Sequence, residues 1–316
     1  METATDIHEF QTVGTIALEP ASVTSAAPMS AVRQRVVDFY ELTKPRMNFL
    51  VVITTMVGYY MAARGWSDWT RLIATLFGTA LTAAGASVFN QYVERRLDLR
   101  MNRTRNRPLP AGRIRPVDAL LFAIFLSVVG VGTLAIFVNA LTASLGALTL
   151  LLYVLVYTPA KRYTSLCTII GAVPGAIPPV MGFTAVHNTI GAEAIALFAI
   201  LFFWQMPHFL AIAILYRDDY ARGGFMMLPV VDKHMNMTAR QIILYSITMI
   251  PVSLLPTLLN MTGSMYPLAA LVMGIAFCGF GLVLARSKSR ADARQLFLAS
   301  IIYLPALLTA LMVDKL

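Results

Sequence analysis

Long uncharged runs, separated by short charged connections, constrain this chain more than any other feature of its sequence. Residues 119–160 contain no charged side chain, which is enough for two membrane-spanning helices of about 20 residues each. The whole chain has 316 residues, of which 58% are hydrophobic and 13% are charged, unlike an ordinary soluble domain. The sequence therefore predicts an all-α integral membrane protein.

The same criterion predicts nine transmembrane helices. They lie at residues 47–63, 72–93, 119–160 (two helices), 163–192, 194–216, 241–285 (two helices) and 295–313. We expect the two double runs to divide at Asn139 and at residues 260–263, where polar or small residues interrupt the apolar pattern. Residues 37–316 are predicted to form one membrane domain.

The distribution of Lys and Arg predicts the orientation, because cytoplasmic connections of membrane proteins accumulate basic residues. These residues cluster before the first predicted span and after the second, fourth, sixth and eighth. Of the 25 basic residues, only Arg64, Arg71 and Lys315 lie on the other side. We therefore expect a cytoplasmic amino terminus and an external carboxyl terminus, and the net charge of +9 requires no nucleic acid as a partner.

The cysteines and the first residues exclude further classes of protein. Cys167 and Cys278 lie singly within apolar runs, which gives no support to a zinc site or a disulfide framework. Residues 1–36 are polar and contain several acids, so they predict a disordered cytoplasmic tail rather than a secretory signal or a mitochondrial transit peptide. We expect the protein in a bacterial plasma (inner) membrane.

Three oxygen-bearing residues follow the second predicted span at a regular spacing. Asn90, Glu94 and Asp98 are four residues apart, so on a helix they share one face over about 12 Å. Several arginines follow within residues 103–113. Magnesium often links one or two carboxylates to substrate phosphates, and arginine binds phosphate oxygens. The stretch indicates a site for a metal-bound phosphorylated anion; the alternative is a solvated helix end whose arginines only set topology.

A second group of acids, Asp218, Asp219 and Asp232, follows the sixth predicted span. Both acid-bearing connections lie on the side of the membrane that is rich in basic residues. We therefore expect them to face one another across the mouth of a shared cavity.

Three motifs resemble one family. NQYVERRLDLRMNRTRNRPLPAGR from Asn90, WQMPHF at 204–209 and DYARGGFMMLPVV from Asp219 resemble the heme-directed branch of the UbiA-type intramembrane prenyltransferases, the protoheme IX farnesyltransferases or heme O synthases. The resemblance extends over all the predicted spans and includes TKPR at 43–46 and YTPAKR at 157–162. It implies nine helices around a central cavity that opens to the cytoplasmic side and to lipid.

The resemblance also implies an activity. Such an enzyme transfers the farnesyl group of farnesyl diphosphate to a vinyl group of heme b, with addition of water, and gives heme O. Mg²⁺ would be its cofactor, heme b its substrate, and a heme A synthase a downstream partner.

The family motifs place the metal and diphosphate site. Asn90, Glu94 and Asp98 fall on the metal-diphosphate positions, with Glu94 where aspartate is more usual. Asp219 joins them through its DY context, whereas Gly223 occupies the position of a second aspartate, and we expect Asp218 to be a solvated neighbour. The expected diphosphate-binding residues are Arg103, Arg107, Lys161 and Arg162.

His208 lies within an uncharged span directly after Pro207. An ionisable group at membrane depth is a functional hypothesis by default. The WQMPHF resemblance favours a heme-side role, by axial ligation or through a propionate, over a hydrogen bond within the bundle. The aromatic candidates for the wall of the cavity are Tyr153, Tyr157, Phe203 and Trp204.

Two other functions remain open on the sequence. One is a prenyltransferase with a quinone-type aromatic acceptor. The other is a transporter with broken helices and a site at the membrane midplane. A transporter would more naturally carry acids within its spans, whereas the acids here collect on one side.

Overall fold

The computed structural model of the protein describes residues 31–63 and 68–316. The predicted tail at residues 1–30 and Arg64 lie outside these ranges. Apart from an isolated bridge between Thr262 and Lys315, the described residues contain no β-structure. Their helices, in chain order, are α1 (Ala31–Leu42), α2 (Pro45–Ala62), α3 (Trp69–Asp98), α4 (Pro116–Phe137), α5 (Ala140–Leu151), a π-helical turn (Leu152–Tyr157), α6 (Thr158–Ala160), α7 (Cys167–His187), α8 (Ala192–Leu215), α9 (Arg217–Gly223), α10 (Leu228–Val231), α11 (Asn236–Ser253), α12 (Leu255–Leu258), α13 (Met265–Ser287) and α14 (Arg290–Val313).

Eight helical segments among the described residues are long and apolar enough to cross a membrane. They are Trp69–Asp98, Pro116–Phe137, Ala140–Ala160, Cys167–His187, Ala192–Leu215, Asn236–Leu258, Met265–Ser287 and Arg290–Val313. Each corresponds to one predicted span. The first predicted span corresponds to α2, which has 18 residues and is not among the eight. Its first turns contain Arg46 and Asn48, which lower its mean hydropathy.

Two boundaries differ from the predictions. Helix α1 begins at Ala31, so residues 31–36 are helical and not part of a disordered tail. The reason is tertiary: Asp38 is buried and accepts a hydrogen bond from Arg113 Nε at 2.8 Å, and Leu42 is fully buried. Helix α3 continues to Asp98, beyond the predicted end at residue 93, because Glu94 and Asp98 on its last turns are also buried.

The interface between α2 and α7 depends on two glycines. A Cβ atom at Gly58 would lie 2.0 Å from the carbonyl oxygen of Pro179, and one at Gly182 would lie 2.0 Å from the carbonyl oxygen of Thr55. Small residues allow two helix backbones to approach closely, which is how helices commonly pack in membranes. Gly58 and Gly182 therefore hold the first helix of the bundle against its centre.

The end of the chain packs against the same helix. Lys315 Nζ donates to the carbonyl oxygens of Tyr60, at 2.5 Å, and of Ala63, beside the last residue of α2. A lysine at this position satisfies carbonyl groups that have no partner within the helix. The end of the chain and the end of α2 are thereby joined. They lie on the side of the helical bundle opposite the connections 99–115, 161–166 and 216–235. We call the side that carries those connections the basic end.

Candidate active site

Asn90, Glu94 and Asp98 form a buried polar stripe at the basic end of α3. Their exposed fractions are 1%, 5% and 1%. A helix places residues four apart on the same face, so the stripe follows directly from the spacing. Buried polar and charged groups require partners, and the structure supplies a basic side chain to each of the three.

Asn90 is held from two directions. Its Oδ1 accepts a hydrogen bond from Lys44 Nζ at 2.9 Å, and its Nδ2 donates to Thr158 Oγ1 at 3.2 Å. Thr158 Oγ1 in turn donates to the carbonyl oxygen of Tyr153 at 2.8 Å. The amide of Asn90 is therefore oriented with its oxygen towards the cation.

Glu94 forms a buried ion pair with Lys161. The distance from Lys161 Nζ to Glu94 Oε1 is 2.9 Å, and the two side chains are 12% and 7% exposed. Burial opposes the charge of Lys161, but Glu94 and the neighbouring Tyr157 and Tyr153 outweigh it and raise the pKa of Lys161 above its ordinary value. The pairing with Glu94 therefore favours the protonated form of Lys161, whose ammonium group also lies 4.5 Å from the centre of the Tyr157 ring.

Asp98 has one satisfied oxygen and one free oxygen. Arg107 Nη1 donates to Oδ2 at 2.9 Å, whereas Oδ1 is buried and has no hydrogen-bond partner. The backbone carbonyl of Asp98 accepts from Thr104 Oγ1 at 2.9 Å, which folds the connection back over the end of the helix. A buried carboxylate oxygen without a partner is unfavourable in a protein interior and is suited to a cation.

Asp219 brings the second acid-bearing connection to the first. It lies in the first turn of α9, and its Oδ1 accepts from the backbone amide of Asn102 at 3.2 Å. Although partial burial opposes its charge, the amide of Asn102 and the side chain of Arg222 lower the pKa of Asp219. Asp218, by contrast, is exposed and pairs with Arg290, in agreement with its expected solvated position.

The four expected diphosphate-binding residues divide into two pairs. Lys161 and Arg107 contact Glu94 and Asp98 directly. The partners of Arg103 and Arg162 lie outside the stripe. Arg103 lies over the Tyr216 ring at 4.7 Å and its Nη2 donates to Tyr220 Oη at 3.3 Å. Arg162 is exposed, with its guanidinium 5.8 Å from the centre of the Tyr163 ring.

Lys44 is a site residue that the sequence analysis did not select. It directly precedes α2, and its backbone is in the left-handed region with φ 49°. Residues other than Gly rarely adopt this conformation. Burial and the nearby cations Arg107 and Lys161 lower its pKa to about 7. The only signal in the sequence was its place in TKPR, because its partner Asn90 is 46 residues away.

A π-helical turn shapes the chain before Lys161. Residues Leu152–Tyr157 form this turn, which is followed at once by Thr158 and Pro159. Tyr153 and Tyr157 lie side by side, with ring centres 5.2 Å apart. Short π-helical turns within α-helices are frequently found at functional sites, and this one places two aromatic rings and Lys161 beside the stripe.

His208 lies apart from the stripe, between α8 and α14. Its Nδ1 is 2.7 Å from Ser300 Oγ, and its ring stacks on Trp204 with ring centres 4.9 Å apart. Trp204 is buried and its Nε1 donates to the carbonyl oxygen of Ser300 at 2.8 Å. Phe203, the remaining wall candidate, contacts the ring of Tyr245 on α11 at 6.0 Å.

The stripe fits a magnesium ion that is shared with a ligand. Within residues 31–63 and 68–316, no group of three or more His, Cys, Asp or Glu side chains could hold a metal by itself. Magnesium is usually bound by one or two carboxylates together with substrate phosphates and water. The free Oδ1 of Asp98, with Glu94 and Asn90 on the same face, is a donor set of that kind.

Comparison with known proteins identifies relatives over most of the chain. The UbiA prenyltransferase family model matches residues 51–304. A protoheme IX farnesyltransferase from Solibacter usitatus is 44% identical over 287 residues, covering 88% of this chain and 98% of the relative. One from Koribacter versatilis is 42% identical over 308 residues, covering 93% and 99%. One from Myxococcus xanthus is 43% identical over 279 residues, covering 88% and 94%.

Solved structures share the fold at lower identity. A digeranylgeranylglyceryl phosphate synthase superposes with a TM-score of 0.74 at 18% identity, covering 89% of this chain and 98% of that one. A UbiA homologue from Archaeoglobus fulgidus, bound to DMAPP and Mg²⁺, gives a TM-score of 0.64 at 14% identity, with coverage of 87% and 99%. The all-helical fold, the family match and the relatives agree. The chain belongs to the UbiA prenyltransferase family, and within it groups with the protoheme IX farnesyltransferases.

Proposed function

We propose that this protein transfers the farnesyl group of farnesyl diphosphate to a vinyl group of heme b, with addition of water, to give heme O and pyrophosphate. The observation that carries the proposal is the buried stripe Asn90, Glu94 and Asp98, in which every member is paired with a basic side chain at the basic end of an apolar bundle. The curated relatives, which are 42–44% identical, carry the same activity in their names.

The residues of the stripe would hold Mg²⁺, with Asp98 as the first ligand and Asn90, Glu94 and Asp219 as further ligands, directly or through water. The UbiA homologue from Archaeoglobus fulgidus binds Mg²⁺ together with DMAPP, which supports a shared site. When bound, the ion acts as a Lewis acid and stabilises the negative charge of the departing pyrophosphate.

Lys44, Lys161 and Arg107 change partners when the substrate binds. In the structure Lys44 donates a hydrogen bond to Asn90, and Lys161 and Arg107 form ion pairs with Glu94 and Asp98. A diphosphate brings negative charge to the same place, so these cations can bind phosphate oxygens while the carboxylates turn towards the metal. Arg103 and Arg162 lie further out, where they attract the diphosphate rather than contact the reacting bond.

Aromatic rings on the apolar side of the stripe protect the farnesyl cation. Tyr153 and Tyr157 lie directly behind Lys161, and the faces of aromatic rings stabilise cations. An apolar surrounding also keeps water away until the new carbon–carbon bond to the vinyl group has formed. His208 binds heme b. It lies where α8 packs against α14.

The membrane arrangement follows from the same observations. Helix α2 is the ninth span, since its residues 47–62 carry no charge and it packs against α7. The basic end faces the cytoplasm of a bacterium, with the amino terminus on that side and the carboxyl terminus outside, in accordance with the distribution of Lys and Arg.

The cavity opens at the basic end and to lipid, so both apolar substrates reach it from the bilayer. Heme O then passes to an enzyme that makes heme A.

Mass spectrometry of the product tests this function. The purified chain in liposomes, supplied with heme b, farnesyl diphosphate and Mg²⁺, should yield heme O. Removal of divalent metal with a chelator should stop the reaction, and Mg²⁺ should restore it; undiminished turnover in chelator would contradict the metal assignment.

Two parallel samples address the other functions. A prenylated quinone-type product from an aromatic acceptor, with heme b unchanged, would contradict the assignment of heme b as the acceptor of the farnesyl group. Metal-independent solute flux into the liposomes without any prenylated product would identify a transporter instead.

A further inference from the structure

Ser300 connects three features of the α8–α14 interface. The residue is fully buried on α14. Its hydroxyl lies 2.7 Å from His208 Nδ1, and its backbone carbonyl accepts the indole N–H of Trp204 at 2.8 Å. The imidazole of His208 also packs against the ring of Phe297, with ring centres 5.1 Å apart. Ser300, Trp204 and Phe297 thus all contact the imidazole of His208.

The hydrogen bonds of Ser300 determine the tautomer of His208. Ser300 Oγ donates to the backbone carbonyl of Phe297 at 2.6 Å. A hydroxyl has a single hydrogen, so Ser300 can only accept in its contact with the imidazole. The hydrogen in that contact therefore belongs to Nδ1 of His208. In the neutral imidazole, the lone pair is then on Nε2.

We propose that Ser300 is a positioning residue for the acceptor substrate: it keeps the Nε2 lone pair of His208 available to coordinate the iron of heme b. The inference rests on the proposed function, because it deepens the role of His208 in taking heme. Imidazole nitrogen is a common ligand of iron. A ligand histidine typically donates its other N–H to an oxygen atom, which fixes the ring and increases the basicity of the coordinating nitrogen.

The contact has a further consequence for the ligand. Ser300 is a neutral acceptor that is itself held by its own helix, so it orients the imidazole without placing a negative charge near the iron. His208 would thus bind heme as a neutral ligand, which suits a substrate that must leave as heme O. The proposed contact is reversible and transfers no electrons.

Spectrophotometric titration with heme b tests the proposal on the purified full chain in detergent, without farnesyl diphosphate. Wild-type protein should give the absorption spectrum of a histidine-ligated heme, and His208→Ala should lose it. Ser300→Ala should weaken heme binding by about 10–100-fold, which is the usual effect of removing such a hydrogen-bond partner. Ser300→Thr, which keeps the hydroxyl, should recover most of the affinity.

The matched control is Ser127→Ala on α4. Ser127 is also buried, and its hydroxyl likewise donates to a carbonyl of its own helix, at 2.8 Å from Ala123 O. This variant should bind heme like wild type. Should Ser300→Ala fail to fold, Ser300→Cys serves the same purpose, because a thiol of similar volume accepts a hydrogen bond only weakly.

Kinetics separate a positioning role from a structural one. Ser300→Ala should raise KM for heme b and leave KM for farnesyl diphosphate unchanged. Equal heme affinity of Ser300→Ala and wild type, or a ligated spectrum that persists in His208→Ala, would overturn the inference. Either result leaves the proposed function standing as long as wild-type protein still produces heme O.

Discussion

The two acid-bearing connections at the basic end carry similar residues in different surroundings. Glu94 and Asp98, at the end of α3, are 5% and 1% exposed, and Glu94 obtains its cation from a residue 67 positions away. Asp219, at the start of α9, pairs with Arg222 only three positions further on. Its neighbour Asp218 is 64% exposed and pairs with an equally exposed Arg290.

This difference indicates that the two connections contribute differently to the site. Charges that are removed from water interact strongly and are costly to leave without a partner, whereas exposed ion pairs contribute little. The α3 side is therefore a preorganised half of the site, held by the tertiary structure. On the α9 side Asp219 is also buried, but its cation Arg222 is a local partner, and the amide of Asn102 is its contact with the other connection.

Asp98→Asn should have the largest effect, because it removes the charge of the buried carboxylate that has a free oxygen while hardly changing its volume. We expect kcat to fall by at least about 10²–10³-fold, the scale of losing one electrostatic group at a transition state. Membrane insertion should be unchanged, whereas the melting temperature should fall, because Arg107 loses its anionic partner. Heme O formation near the wild-type rate would exclude Asp98 as a metal ligand and would remove the distinction between the two connections.

Lys161→Gln should have the next largest effect, and its neighbour Arg162→Gln is the matched control. The first change leaves Glu94 buried without its cation, a loss of about 3–5 kcal/mol of stability for a buried pair. It also removes a charge-assisted contact to the diphosphate, so KM for farnesyl diphosphate should rise by about 10–100-fold. Thermal unfolding in detergent and steady-state kinetics measure both effects.

Arg162→Gln should change KM for farnesyl diphosphate by no more than about twofold and the stability by no more than about 0.5 kcal/mol. The reason is that Arg162 is exposed. Equal effects of the two variants would mean that Lys161 acts only through the general positive charge of the basic end. The contrast between a buried and an exposed cation would then not hold.

Asp219→Asn and Asp218→Asn should have smaller effects, and their difference sharpens the comparison within the α9 side. Asp219→Asn weakens the contact with the amide of Asn102 and should lower kcat/KM by about tenfold, equivalent to about 1.4 kcal/mol. Asp218→Asn breaks only an exposed pair and should leave kcat/KM within about twofold. A larger loss from Asp218→Asn would show that the wrong one of the two adjacent acids is assigned to the site.

Local patterns predicted much of the fold. Asn139 was predicted as a turn, and its Oδ1 accepts from the amide of Thr142 at 2.8 Å as the cap of α5. The spacing of Asn90, Glu94 and Asp98 predicted one shared face, and all three are buried on it. Such features depend on a few consecutive residues and on the period of the helix, so they are visible in one sequence.

Partners that lie far apart in the chain could not be predicted in this way. Lys44 was included only among the basic residues before the first predicted span, because nothing near it in the sequence points to Asn90. Arg103 and Arg162 were selected with Lys161 and Arg107 because all four are basic residues beside the same helix ends, and only packing distinguishes them. Ser300 had no recognisable signal, as its partner His208 is 92 residues away.

The sequence by itself determined that apolar runs cross a membrane, that charges collect at one end, and that three oxygen-bearing side chains share a helix face. Each of these follows from composition or from the geometry of a single helix. Only the tertiary structure decided which basic side chain pairs with each buried oxygen, and that Ser300 lies beside Nδ1 of His208. The physical reason is that electrostatic and hydrogen-bond partners are selected by distances of about 3 Å in space, and packing alone brings distant parts of the chain that close.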